Sequence, residues 1–258
     1  MWRFDRAQQV VGRESRCIGR AFSHHNSPVM PNTRSPDVPT FELVIFDCDG
    51  VLVDSERITN QVFADMLNEI GVPVTLDYMF EHFVGRSMDQ CLELISGILG
   101  SAPPVDFVEN YRLRTAAALE STLTSVPGIE EALDHIKIPV CVASSGDHAK
   151  MRMTLGITKL LPRFEGKLFS VTEVARGKPA PDVFLYAAGK CGTQPSACVV
   201  IEDTPSGVTA GVAAGMTVYG YSALTPAARL LGAGAHRVFS DMAQLSSLIG
   251  GGDPHRRA

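Results

Sequence analysis

Two stretches of the sequence place a pair of acidic residues directly after a short apolar run. Asp47 and Asp49 follow the run LVIF, and Glu202 and Asp203 follow the run CVVI. Side chains alternate along an extended chain, so Asp47 and Asp49 should leave the first run on the same side. Carboxylates that close repel each other unless a cation lies with them or one is protonated. The pairs predict a site for a hard cation or an acid–base pair, although an acidic turn would give the same pattern.

Two further stretches carry groups that suit an anion. Ser144 and Ser145 follow the strand-like run PVCVA, and a hydroxyl beside free backbone amides at a strand-to-helix junction can hold an anion. Lys178 precedes Pro179, which favours an extended backbone, and Pro181 suits the first turn of a helix. The lysine is therefore predicted to sit on a stiff connection. Taken singly, these residues could equally be loop serines and a solvated lysine.

The elements that position these residues follow an alternating pattern. Strands are predicted at residues 43–46, 139–143, 167–171, 198–201, 217–221 and 237–239, with helices between them from residue 144 onward. Such alternation indicates an α/β fold with a parallel sheet, in which ligands bind at the carboxyl ends of the strands. We therefore expect the acidic pairs, the serines and the lysine to meet at one edge of the sheet.

The segment between the first two strands has helical periodicity throughout. Four helices are predicted, at residues 56–70, 76–83, 88–99 and 106–120. An all-helical insertion at this point would lie over the first acidic strand end like a lid. Arg86 and Ser87 fall in a loop of the insertion. The Arg86 guanidinium could face an anion there, or it could be a solvated surface group.

The predicted organisation is a core of residues 41–55 and 125–250, a helical cap of residues 56–124, and disordered tails at residues 1–40 and 251–258. The first tail holds six arginines against three acids and is rich in Ser, Pro and Asn near its end. A transit peptide, or an over-extended start with translation beginning at Met30, would fit as well. A secretory signal does not fit, because no apolar central region is present.

Composition excludes several classes of protein. The net charge is −5, and no basic stripe alternates with aromatic residues, which argues against a nucleic-acid binder. No apolar run approaches membrane-spanning length, so we expect no membrane partner. The six cysteines form no C-x-x-C pair, and Cys48, Cys141 and Cys198 fall in predicted buried strands. A reducing, cytoplasmic location and a monomer or weak homodimer are expected.

The chemistry open to this residue set is phosphoryl transfer. A few carboxylates that leave room for water and phosphate suit Mg²⁺, and hydroxyls, amides and a lysine suit phosphoryl oxygens. One aspartate can attack phosphorus, while a second can protonate the leaving alkoxide and later accept a proton from water.

The order D-x-D-G-V-L-V-D-S, a strand-end serine, G-K-P-x-P and E-D-x-x-x-G resembles the haloacid-dehalogenase-like hydrolase superfamily. Within it, residues 41–249 look like the β-phosphoglucomutase-like phosphatases with a small helical cap. The resemblance implies a Rossmann-like core, Mg²⁺ as cofactor and a small phosphorylated metabolite as substrate. It implies that Asp47 is the nucleophile and a metal ligand, and that Asp49 is the acid/base with its carbonyl on the metal. Lys178 would bridge Asp47 and phosphate, with Ser144 and Ser145 also binding phosphate.

The resemblance also implies roles for the second acidic pair and for the cap loop. Asp203 would ligate Mg²⁺, with Glu202 at the edge of the metal site or bound through water, and Arg86 and Ser87 would touch substrate. One departure concerns the mutases of the family, which tend to carry a histidine where this sequence has Thr59.

The preferred hypothesis is a Mg²⁺-dependent phosphatase acting on a sugar or sugar-acid phosphate, such as 6-phosphogluconate or a hexose phosphate. Phosphoglycolate is an alternative substrate. Thr59 argues against a phosphomutase, and Asp49 argues against a dehalogenase, because true dehalogenases lack the second acid. A phospho-acceptor signalling module would need neither Asp49 as acid/base nor the helical insertion.

Overall fold

The computed structural model describes residues 40–84, 86 and 88–250. Residues 1–39, which are all but the last residue of the first predicted tail, and residues 251–258, the second, lie outside the described residues. So do Gly85 and Ser87 of the predicted cap loop.

A six-stranded parallel sheet organises the described part of the chain. Its strands are Leu43–Phe46 (β1), Val140–Ser144 (β2), Leu168–Ser170 (β3), Cys198–Glu202 (β4), Thr217–Tyr221 (β5) and Arg237–Phe239 (β6). The spatial order β3-β2-β1-β4-β5-β6 confirms the predicted α/β, Rossmann-like class. The order reverses between β1 and β4, and in such sheets the crevice for ligands opens at that reversal.

The central strand is buried on both faces, as its uninterrupted apolar sequence predicts. Val44 and Phe46 of β1 point into one hydrophobic core, and Leu43 and Ile45 point into the other. Cys48 was predicted to lie inside a strand, which is wrong, because β1 ends before it. Its side chain is nevertheless buried in the first core.

Seven helices cover the two faces of the sheet in the described residues. They are Ile129–His135 (α5), His148–Ile157 (α6), Leu161–Phe164 (α7), Asp182–Lys190 (α8), Pro205–Ala213 (α9), Ala227–Gly232 (α10) and Leu245–Gly250 (α11). A 3₁₀ turn at Met242–Gln244 directly precedes α11. No helix in the described ranges is both long and apolar enough to span a bilayer.

The segment between β1 and α5 is helical, as its periodicity predicts. It contains Ser55–Glu69 (α1), Leu76–His82 (α2), Met88–Leu99 (α3) and Phe107–Thr122 (α4). These helices share a hydrophobic core of their own, in which the Phe63 ring lies 5.5 Å from that of Phe83 and 5.6 Å from that of Phe107.

The two connections to this insertion run side by side. Val53 forms an antiparallel bridge with Ser125, and the Asp54 backbone N–H donates to the Thr124 carbonyl at 3.0 Å. The insertion therefore leaves and rejoins the sheet domain at one point, immediately beyond the end of β1.

Candidate active site

The ammonium of Lys178 joins three neighbouring strands at the carboxyl edge of the sheet. It donates to Asp47 Oδ1 at 2.6 Å, to Glu202 Oε1 at 2.8 Å and to the Ala143 carbonyl at 3.1 Å. Three partners match its three donor protons. The register explains the meeting, because Phe46 of β1 pairs with Val142 on one side and with Ile201 on the other. The next position along each strand therefore reaches the same level of the edge.

The chain carries Lys178 to this point on the turn between β3 and α8. The Lys178–Pro179 peptide is cis, and Ala180 N–H closes the turn on the Gly177 carbonyl at 3.0 Å. The ring of Phe184, from α8, lies 4.7 Å from the ammonium. The hydrogen bond that closes the turn and the ring of Phe184 hold this connection, in addition to the ion pairs of the lysine.

Both carboxylate oxygens of Glu202 are already committed to protein donors. Oε1 accepts from Lys178, and Oε2 accepts from the Thr204 backbone N–H at 2.8 Å and its hydroxyl at 2.9 Å. A Cβ on Gly207 would lie 1.7 Å from Oε1, so the first turn of α9 leaves room for this carboxylate only because that residue is glycine. Thr204 caps α9, which begins at Pro205. Glu202 therefore orients the lysine.

Asp203 lies against the backbone of Gly50, and one of its carboxylate oxygens receives no hydrogen bond from the described residues. It is 4% exposed, and its Oδ1 is buried with no hydrogen-bond partner among the described residues. A Cβ on Gly50, whose φ is +77°, would lie 2.2 Å from Asp203 Oδ2. Burial raises the pKa of Asp203 well above its usual range, and the nearby charges of Glu202 and Asp47 raise it further. An unpaired buried carboxylate of this kind requires a proton or a cation.

The charges of this cluster do not balance. Asp47, Glu202 and Asp203 are three buried carboxyl groups beside the one ammonium of Lys178, so ionisation of all three would leave an excess of two negative charges. Burial raises the pKa of Asp47 to about 7, although Lys178 opposes the shift. Burial also works against the charge on Lys178, but Asp47 and Glu202 outweigh it and raise the pKa of that ammonium. A divalent cation would neutralise the excess.

The available ligand atoms suit Mg²⁺, which needs few protein ligands, better than a metal ion that takes all of its ligands from protein side chains. Across residues 40–84, 86 and 88–250, no group of three or more His, Cys, Asp or Glu residues is arranged to hold a metal ion. With Glu202 engaged elsewhere, Asp47 and Asp203 keep uncommitted carboxylate oxygens at this edge. Mg²⁺ commonly uses one or two carboxylates and completes its octahedron with water and substrate phosphate. The residues present therefore fit that ion.

Asp49 turns away from Lys178 toward partners that the sequence did not reveal. Its Oδ1 accepts a short hydrogen bond from Ser55 at the start of α1, and its Oδ2 pairs with Lys150 Nζ at 2.8 Å. Lys150 lies in the first turn of α6, where its backbone N–H is capped by Asp147 at 2.8 Å. The sequence predicts a strand-to-helix junction after Ser144, and such a junction puts the first turn of α6 at the carboxyl edge of the sheet. Asp49 is thus oriented by a lysine of the sheet domain and a serine of the insertion.

The predicted phosphate-binding serines differ in their placement. Ser144 is buried at the end of β2, where its hydroxyl accepts from the Gly146 backbone N–H at 2.9 Å. An ideal Cβ on Gly146 would lie 3.8 Å from Asp49 Oδ2, so this loop passes close to the acidic edge. Ser145 is exposed to solvent beside it. His148, at the start of α6, pairs with Glu173 at 2.9 Å.

The predicted cap residue Arg86 lies in a neighbouring cavity and not in the acidic cluster. Its Nε donates to the His82 carbonyl at 2.5 Å. The cavity, of about 270 Å³, lies between the end of α2 and the start of α9. A narrow gap lined by Val84, Thr225 and Asp203 lies between this cavity and the cluster. Ser87 lies outside the described residues.

Comparison with known proteins shows which family of enzymes this chain is similar to. A sequence profile of haloacid dehalogenase-like hydrolases matches residues 41–215, more than half of the chain. The 6-phosphogluconate phosphatase of Escherichia coli K12 is 32% identical over 185 residues, covering 70% of this chain and 83% of that protein.

Two solved structures are similar over most of the described chain. A haloacid dehalogenase-like protein of unknown function from Agrobacterium tumefaciens has a TM-score of 0.78 at 33% identity, covering 82% of this chain and 98% of its own. A HAD family hydrolase from Deinococcus radiodurans, with bound phosphate and sodium, has a TM-score of 0.75 at 32% identity, covering 83% and 97%. The similarity therefore extends across both the sheet domain and the helical insertion.

Proposed function

This chain belongs to the haloacid dehalogenase-like hydrolase family, and we propose that it is a magnesium-dependent phosphatase working through an aspartyl-phosphate. The observation that carries the proposal is the cluster of Asp47, Glu202 and Asp203 around Lys178, with the two excess negative charges that ionisation of all three would leave. The substrate class is a small sugar or sugar-acid phosphate. The similarity to a 6-phosphogluconate phosphatase supports that class, with phosphoglycolate as the alternative.

In the first step of the proposed reaction, an oxygen of Asp47 attacks phosphorus and the bond from phosphorus to the leaving oxygen breaks. Asp49 gives its proton to that oxygen, so the product leaves as a neutral alcohol. In the second step, Asp49 takes a proton from water while the water oxygen attacks phosphorus. The bond from phosphorus to Asp47 breaks, which releases inorganic phosphate, restores the Asp47 carboxylate and leaves Asp49 protonated for the next cycle.

Charge neutralisation supplies most of the rate enhancement in such a reaction. Lys178 is fixed by Asp47 and Glu202 beside the point of attack, and Ser144 with the amides of its loop would hold phosphoryl oxygens. Mg²⁺, held by Asp47, Asp203 and the Asp49 carbonyl, would neutralise the phosphoryl charge and align it for attack. Glu202 acts here as a positioning residue for Lys178, because its oxygens have other donors.

The helical insertion is proposed to be the cap that closes over the substrate. Ser55 of α1 already reaches Asp49, and α2 lines the cavities that face the loops after β4 and β5. A closed site of this size would exclude macromolecules, so we propose a small metabolite and no nucleic-acid or membrane partner. The cysteines of the described chain are free thiols, which supports a cytoplasmic location, and we propose a monomer or weak homodimer.

The test is hydrolysis of p-nitrophenyl phosphate and of a panel of phosphorylated metabolites by the purified protein with Mg²⁺. Turnover should disappear with EDTA and in Asp47→Asn, and Asp49→Asn should lose at least 10²-fold on alkyl phosphates. Asp65→Asn, an exposed change in α1, is the matched control and should retain full activity. Absence of turnover from folded wild-type protein on every substrate would overturn the proposal.

A phosphomutase is disfavoured by the residue at the start of α1. The Thr59 hydroxyl is bonded to the Glu56 carbonyl at 3.1 Å, and a hydroxyl cannot serve as a general base near neutral pH in the way a histidine can. Incubation with a hexose phosphate and a hexose bisphosphate should therefore release phosphate without isomerising the sugar.

A further inference from the structure

Arg229 occupies an unusual position at the mouth of the proposed active site. It lies in α10, and it lines each of three cavities between the helical insertion and the loops that follow β4 and β5. One of them is the gap that reaches Asp203. The side chain therefore spans the entrance from solvent to the acidic cluster.

The Arg229 guanidinium has no bonding partner among the described residues, and no carboxylate there forms an ion pair with it. Several other arginines of the same ranges pair with an acid, namely Arg57, Arg114, Arg163 and Arg176. A planar guanidinium offers parallel N–H donors that match a carboxylate in a two-point contact. An arginine left without an acid at a cleft mouth is free to supply that contact to a ligand.

The cavity of about 270 Å³ that Arg229 lines is also electrostatically suited to an anion. Arg86 contributes a second guanidinium from the insertion, and Thr204 to Ser206 contribute the N-terminal end of α9. Its one carboxylate, Glu81, is 76% exposed at the rim and lies 3.6 Å from His82. The cavity thus presents positive charge from both the sheet domain and the insertion.

We propose that Arg229 binds the carboxylate at the far end of a sugar-acid phosphate while the phosphoryl group lies against Asp47. The inference rests on the phosphatase function proposed above and narrows its substrate class to acids. Arg229 is then a specificity-determining residue, which acts on the leaving group and not on the phosphoryl group. Arg229 also lines the gap of about 10 Å³ beside Asp203, so its side chain borders both the larger cavity and the acidic cluster.

The test compares 6-phosphogluconate with glucitol 6-phosphate, which has a neutral hydroxymethyl group in place of the carboxylate. Wild-type protein should have the higher kcat/KM on the acid. Arg229→Gln should lower that value about 10- to 100-fold, the usual effect of losing a hydrogen bond to a charged group. Its kcat/KM on glucitol 6-phosphate should not change, and Arg229→Lys should retain part of the preference for the acid. Arg152→Gln, at an exposed site on α6, is the matched control and should leave both values unchanged.

Hydrolysis of p-nitrophenyl phosphate by each variant separates this inference from the proposed function. If that activity is intact and Arg229→Gln affects both sugar phosphates equally or neither, the carboxylate subsite is wrong while the phosphatase stands. If wild-type protein prefers glucitol 6-phosphate, the subsite is also wrong. If p-nitrophenyl phosphate is not hydrolysed at all, the proposed function fails and the subsite fails with it.

Discussion

Asp203 shows how a single side chain can be unfavourable for stability and still be required by the chemistry. A buried polar atom without a partner costs roughly 1–3 kcal/mol, and more when it carries charge. Gly50 has no side chain and so leaves space for the buried Asp203 carboxylate, but no described residue supplies a hydrogen-bond donor to Oδ1. That cost would be offset when a cation enters the site, because the cation binds the folded state alone.

We expect Asp203→Asn to raise the melting temperature of the metal-free protein, because a buried asparagine, unlike the buried carboxyl group, needs neither a proton nor a cation. The same variant should lose most of the stabilisation that millimolar Mg²⁺ gives to wild-type protein. Differential scanning calorimetry with and without Mg²⁺ measures both effects. Asp65→Asn should behave as wild type in each condition. Mg²⁺ stabilisation of undiminished size in Asp203→Asn would show that Asp203 is not a metal ligand.

The connection from β4 into α9 is the element on which the cluster depends. Glu202 ends the strand, Thr204 caps the helix, and Gly207 leaves the space in which the Glu202 carboxylate lies. A strand and a helix so close together can share one buried carboxylate only when the first helical turn carries no side chain at that point.

Gly207→Ala should therefore disrupt the site even though alanine favours helices. We predict a destabilisation of about 1–3 kcal/mol from overpacking and at least a tenfold loss of phosphatase activity, as Glu202 is displaced from Lys178. Gly156→Ala in α6 has open space around the new methyl group. This control should be neutral or stabilising by up to about 1 kcal/mol. Urea unfolding and steady-state kinetics check both variants, and equal behaviour would contradict the described packing.

The elements were predictable from the sequence to a greater extent than the contacts between them. Apolar runs and helical periodicity located all six strands and most helices, and the family resemblance drawn from four motifs is confirmed by the profile match. The sequence did not predict the contacts of Lys150 and Ser55 with Asp49. Those contacts depend on how α6 and α1 lie relative to β1, which no local sequence pattern encodes. The role of Arg229 depends in the same way on cavities between distant segments.

The described part of the molecule combines a buried acidic cluster at the sheet edge with a helical insertion that has its own core, and its stability should depend on pH and Mg²⁺ together. The pKa of Asp47 is raised by burial from 3.8 to about 7, and that of Asp203 is raised as well. The folded state therefore binds protons that the unfolded chain releases above about pH 4. By linkage, stability falls as pH rises through this range.

Without a divalent cation, the melting temperature should decrease between about pH 5 and pH 8, in proportion to this difference in bound protons. With Mg²⁺ the decrease should be smaller, because the cation favours the ionised carboxylates. Asp203→Asn should show a shallower pH dependence than wild type in the metal-free condition. Thermal unfolding followed by circular dichroism across that range provides the measurement. A metal-free stability that rises with pH would contradict the assigned burial and charge of the cluster.

The most direct test of the account is to trap the phosphoryl group on the chain itself. Asp49→Asn protein with Mg²⁺ and p-nitrophenyl phosphate, whose leaving group needs no proton, should form the intermediate and hydrolyse it slowly. Acid quenching, proteolysis and mass spectrometry should then locate one phosphoryl group on Asp47, and none should appear with EDTA or when Asp47→Asn is added to the variant. A phosphoryl group on any other residue, or phosphate release by Asp47→Asn at the wild-type rate, would contradict the assignment of Asp47 as the nucleophile.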